Sequence, residues 1–306
     1  MNKRLIYSAI ILLVLLLGYY FLRLRAPEER TRRIFDLNAD KVDKIEVWNA
    51  AERVEITLKD GKWIIPKPFV WDADSTQVER FFTEVLAAEY PITPMSRVAD
   101  ARKSYRLDDE NTLHVRVSAG ARSAHVLFSN LGNAWDYFCF ENGSEVFQVK
   151  RKVVQHFGPD FAIWRNPLIL RYFEEDLRSV RSRHTNGEFT LTRDGAQWTF
   201  TSPEESFVVP FDNFALVKII SILQNMRTYI FADGRLPHLR EAFEKPDCEV
   251  WITDVQGNTK KLSFAKVDKE RFMLMVDDDP TLLYQVVYDS VFRFIRPADI
   301  FRRIMA

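Results

Sequence analysis

Val54-Glu-Ile-Thr-Leu-Lys-Asp-Gly-Lys-Trp-Ile-Ile-Pro66 is the stretch that decides the fold. Its pattern returns about 135 positions later as Phe189-Thr-Leu-Thr-Arg-Asp-Gly-Ala-Gln-Trp-Thr-Phe200, and self-similarity at that period marks a duplicated body. Asp60-Gly61 and Asp194-Gly195 are hairpin signals, because glycine supplies the positive φ that a tight turn between twisted strands requires. Trp63 and Trp198 follow at equivalent strand positions, where each is expected to fill the core between its sheet and the next helix.

Working outward, Val42–Ile45 leads into the first copy and Leu177–Val180 into the second. Val78, Phe81, Phe82, Val85 and Leu86 recur at helical spacing after the first hairpin, as do Leu216, Val217, Ile219, Ile220 and Leu223 after the second. Asp74 with Gln77 has the form of a capping box, and Asp212 is placed to cap the second helix. Four strand-like runs then follow in each copy: Leu113–Val117, His125–Phe128, Tyr137–Phe140 and Val146–Val149, then Cys248–Ile252, Lys261–Phe264, Arg271–Met275 and Leu282–Val286. Gly120, Gly143 and Gly257 separate several of them, as an antiparallel meander requires. Short closing helices are expected at 152–157 and 288–295. The fold class is therefore α+β: an N-terminal transmembrane helix, then two tandem duplicated modules of mainly antiparallel sheet with packed helices. The boundaries are 1–33 for anchor and linker, 34–168 for the first module and 169–306 for the second.

The anchor is Leu5–Leu22, an uncharged apolar run reaching ~27 Å as a helix, close to the hydrocarbon thickness of a bilayer. Lys3 and Arg4 precede it, and Tyr19, Tyr20, Arg23 and Arg25 supply interfacial rings and cations. The run is long for a signal peptide, and Tyr-Tyr-Phe-Leu-Arg-Leu-Arg lacks the small residues of a cleavage site. Positive charge after the span outweighs that before it, which by the positive-inside rule places the body inside the cell.

Lysine plus arginine balance aspartate plus glutamate at 43 each, so no global field favours nucleic acid. No phosphate-binding loop, dinucleotide fingerprint or nucleophile elbow occurs, which points away from an enzyme; no catalytic, cofactor or metal residue is assigned. His114 and His125 fall on neighbouring strands close enough to meet, and are read as exposed strand histidines. Asp277-Asp-Asp-Pro280 and Asp108-Asp-Glu110 read as solvated turns. Cys139 and Cys248 lie in apolar runs and read as buried free thiols, although a bridge between them would suit an oxidising compartment. Arg178, Arg181, Arg183 and His184 form a basic cluster that is either a solvated strand edge or a partner surface. The same choice attaches to Arg293, Arg296, Arg302 and Arg303 in the terminal segments, which either dock a partner or close the second module.

The anchor, the paired Lys/Arg-Asp-Gly with its tryptophan and the ensuing helix together resemble the domain of unknown function 4340 family. Tyr105-Arg-Leu-Asp-Asp109 is similar to that family's Tyr-Gly-Leu-Asp element, with Arg106 in place of glycine. The resemblance carries over no active site. It implies a single-pass protein of the bacterial cytoplasmic (inner) membrane with an extracytoplasmic body, contrary to the local charge. It also implies a non-enzymatic accessory or scaffold role beside Gld-type ABC transport or gliding systems, with a permease or Gld-type subunit as partner. The alternative is a cell-envelope glycan- or peptide-binding module.

Overall fold

A computed structural model describes residues 12–19, 30–67, 70–129, 135–232 and 242–302. Residues 12–19 are helical with exposed apolar side chains; the rest of the expected span 5–22 lies outside the described residues, as does Arg303. Among the described residues, no helix is long and apolar enough to cross a membrane.

Two eight-stranded antiparallel sheets dominate. The first is built from β2 (Lys44–Trp48), β3 (Arg53–Lys59), β4 (Lys62–Ile65), β5 (Trp71–Asp72), β7 (Leu113–Ala119), β8 (Arg122–Phe128), β9 (Tyr137–Phe140) and β10 (Phe147–Gln148). Its order is β5-β4-β3-β2-β7-β8-β9-β10. A separate pair joins β1 (Thr31–Arg33), at the end of the expected linker, to β6 (Glu89–Pro91). The second sheet contains β12 (Leu177–His184), β13 (Gly187–Asp194), β14 (Gln197–Thr201), β15 (Ser206–Val209), β17 (Cys248–Asp254), β18 (Thr259–Lys266), β19 (Arg271–Val276) and β20 (Asp279–Val287). Its order is β15-β14-β13-β12-β17-β18-β19-β20, and β11 (Leu168–Leu170) pairs with β16 (Met226–Arg227). Every strand of one set thus has a counterpart at the same place in the other, which is the duplication read from the sequence. By internal contacts the chain divides into residues Met1–Leu58 with Thr76–Pro159, and Lys59–Ser75 with Asp160–Ala306.

Alternation decides which face is core. On β7, Leu113, Val115 and Val117 are buried while His114 and Arg116 point the other way; on β17, Cys248, Val250 and Ile252 do the same opposite Trp251. The helix Phe214–Gln224 covers the second sheet with Leu216, Ile219, Ile220 and Leu223. Its N-cap is Asn213, whose side chain accepts from the Leu216 amide at 3.0 Å; this corrects the expectation of Asp212, one residue too early. The first helix begins at Ser75, but continues from Phe81 to Leu86 as a π-helix, the Ala87 amide donating to the Phe82 carbonyl at 3.2 Å. Trp198 is buried and donates Nε1–H to Glu174 at 3.0 Å, whereas Trp63 is only half-buried.

The turns follow the sequence. Asp60 and Gly61 both have positive φ, and Asp277 and Asp278, joining β19 to β20, adopt the same left-handed geometry. Arg106 also has φ +54°, which gives the physical reason for a glycine in the Tyr-Gly-Leu-Asp element it interrupts. Its guanidinium returns to Asp109 at 2.6 Å.

Candidate interaction faces

On the first sheet, Trp48 sits at the end of β2, directly opposite Arg53 on β3 and His114 on β7. Its ring stacks on His114 at 5.0 Å and 15°, and packs against His125 at 4.8 Å. The Arg53 and Arg116 guanidiniums lie 5.0 and 5.3 Å from the indole centroid, within cation–π range. Two positions back, Glu46 points to the same side yet is only 3% exposed, because Arg53 and Lys44 close over its carboxylate. Burial raises its pKa, but the hydrogen bonds and charges of Arg53 and Lys44 outweigh burial and hold it below the ordinary glutamate value.

His114 and His125 are therefore not the exposed strand residues expected. Their Nδ1 and Nε2 atoms lie 3.2 Å apart, and the other ring nitrogen of His125 is 2.9 Å from Glu141. Two neutral rings satisfy this chain, with His114 Nδ1–H donating to His125 and His125 Nδ1–H donating to Glu141; the tautomers are inferred from these partners. Burial depresses both imidazole pKa values, the neighbouring ring adding to the effect at His114 and Glu141 opposing it at His125.

The second sheet carries a related face. Trp251 on β17 lies opposite Arg181 on β12 and Lys261 on β18, with the Arg181 and Arg183 guanidiniums 5.2 and 5.3 Å from its ring. Glu249, two residues earlier and 8% exposed, accepts from Arg183 Nε at 3.0 Å and pairs with Lys261 at 3.1 Å. Burial again raises the Glu249 pKa, and Arg183 and Lys261 again outweigh it. Each face thus presents a tryptophan flanked by two arginines, beside a glutamate held by an arginine and a lysine. The shared sequence signal is Glu-Val-Trp, at 46–48 and at 249–251, which sequence reasoning passed over. The two copies lie on β2 and β17, strands that are not counterparts in the duplication.

The arginines singled out from sequence divide into groups. Arg181 and Arg183 flank Trp251, and Arg181 also pairs with Glu188 at 2.8 Å. Arg178 is exposed beside the register shift between Leu177 and Ser179. Arg293 pairs with Asp289 at 2.6 Å, Arg296 stacks over Phe292 at 3.9 Å, and Arg302 pairs with Glu205 while covering Phe207 at 4.0 Å. Arg302, and Arg293 through a bond to the Lys218 carbonyl at 3.4 Å, tie the C-terminal segment down, and its Phe294 and Phe301 are fully buried in the second core, so that segment closes its module. Cys139 and Cys248 are free and buried. Among the described residues, no group of three or more His, Cys, Asp or Glu side chains is placed to hold a metal ion.

A family model described as domain of unknown function (DUF4340) matches residues 63–241, more than half of the chain. The chain belongs to this family. The matched stretch spans the first tryptophan hairpin arm to the helix Phe214–Gln224 and beyond, so family membership covers Arg181 and Arg183 but neither Glu-Val-Trp copy. No curated protein and no solved structure matches the chain.

Proposed function

We propose that this chain is a non-enzymatic accessory or scaffold protein, anchored in the bacterial cytoplasmic membrane by residues 5–22, with its modules outside the membrane. Its partner is the permease or another subunit of an ABC-type, Gld-like transport or gliding system. The observation that carries the reading is the twofold occurrence of an outward-facing tryptophan between two arginines. Tryptophan and arginine are the residues most enriched at protein–protein hot spots, where a rigid ring and a planar cation bury area at low entropic cost. The charged neighbours pre-order each ring: Glu46 fixes Arg53, and Glu249 and Glu188 fix Arg183 and Arg181, before any partner arrives, which lowers the cost of association.

Affinity purification of the full chain from membranes tests this. The reading expects a permease subunit to be recovered, and expects a folded Trp48→Ala, Trp251→Ala double variant to lose it. Recovery of no transporter subunit, or undiminished recovery with the double variant, overturns it.

A further inference from the structure

The first unit holds a hollow of ≈550 Å³ lined by Arg32, Arg33 and Arg122, with Asp36, Tyr90 and Ser123. Three arginines and one aspartate thus line it, a net positive charge. Among the described residues none of the three cleft arginines is in a salt bridge; Arg122 makes one hydrogen bond, to the Asp36 carbonyl at 3.3 Å. The backbone beneath them is fixed, because Arg32 pairs with Tyr90 and Arg33 with Glu89 across β1 and β6, and Thr31 donates to Glu89 at 2.8 Å. Arginines outside any salt bridge, held on a fixed backbone with hydroxyls beside them, suit an oxyanion, above all a phosphate ester, whose oxygens match the planar fork of arginine.

We propose that this cleft binds the phosphate of an anionic lipid headgroup. The lipid source rests on the anchored reading above, and on the length of chain: the nine residues 23–31, between the apolar run and Arg32, extend at most about 32 Å. That tether keeps the cleft within reach of the headgroup layer. Each guanidinium contributes roughly fivefold to affinity for an anionic surface.

The test uses the full chain in nanodiscs of phosphatidylcholine alone, or with phosphatidylglycerol, and follows amide hydrogen exchange over residues 30–37 and 119–124. Exchange is expected to slow in the anionic discs. Arg122→Gln is expected to weaken the response roughly fivefold, and Arg33→Gln with Arg122→Gln roughly 25-fold, with Arg122→Lys retaining most of it and melting temperatures unchanged. A second arm titrates glycerol phosphate into the neutral discs. Protection by glycerol phosphate but not by anionic lipid overturns the lipid assignment, and a response to neither overturns the site. A chain that stays outside the discs overturns the anchored reading and the lipid source together, and the glycerol phosphate arm then reads the cleft by itself.

Discussion

Replacing Glu46 probes the device that holds the first tryptophan face in place. The carboxylate is 3% exposed and serves two cations, Arg53 and Lys44, the latter at 3.2 Å. Glu46→Ala leaves Arg53 without a carboxylate and Lys44 with only Glu55, at 3.7 Å. For a fully buried pair the loss would be about 3–5 kcal/mol, and for a surface pair about 0–1 kcal/mol. The Arg53 and Lys44 side chains are 57% and 34% exposed, so both rehydrate, and the expected destabilisation is about 2 kcal/mol. The pH dependence follows from the sign of the shift. Burial alone would raise the carboxyl, but its partners hold it below 4.5, so its stabilising contribution is complete above the unfolded value and disappears as pH falls through the folded one. Urea unfolding followed by tryptophan fluorescence is expected to separate wild type from variant by about 2 kcal/mol at neutral pH, with the gap closing below pH 4.5. A gap that persists unchanged into acid, or none at neutral pH, would refute the reasoning.

Three further outcomes are expected. Cys248 is fully buried and its thiol is pushed up to about 12, chiefly by burial, so iodoacetamide should modify it only after denaturation; stoichiometric labelling of the native chain would contradict this. Phe301→Ala removes a fully buried ring packed 5.2 and 5.1 Å from Phe189 and Phe200, and should cost about 3–5 kcal/mol in chemical denaturation; a loss below about 1 kcal/mol would show that the C-terminal segment does not close the second core. Arg106→Gly relieves left-handed strain of about 1–2 kcal/mol, offset by about 0.5–1 kcal/mol of glycine entropy and loss of the exposed pair with Asp109, so stability should hold or rise slightly; a loss above about 1 kcal/mol would sink the strain argument.

The fold was legible where local chemistry settles geometry. Asp60-Gly61 and Asp194-Gly195 announce their hairpins, and once these align the two copies, the later strands fall into one repeating order. The Asn213 cap was missed because Asp212 and Asn213 are both good caps, and only the packing of the following helix decides between them. The π-helix at Phe81–Leu86 carries the same apolar spacing as an α-helix, so periodicity cannot distinguish them. The two tryptophan faces were harder for a different reason. Trp48 meets Arg53 through a local hairpin, but meets His114 and Arg116 only because β7 lies beside β2, a pairing that no local signal encodes. Arg181 and Arg183 stood out as charges, while their partners Glu249 and Trp251 looked like an ordinary strand. The repeated Glu-Val-Trp was the available clue, and it escaped alignment because its copies occupy non-equivalent strands.

The most direct test of a partner-binding role is photo-crosslinking in intact membranes from a benzophenone amino acid placed at Thr253, two residues beyond Trp251 on the same face of β17. The account predicts an adduct with a transporter permease or Gld-type subunit, reduced at least tenfold when Arg183→Ala removes a hot-spot neighbour. An absence of adducts from that position, with the full chain folded and present in the membrane, would contradict it.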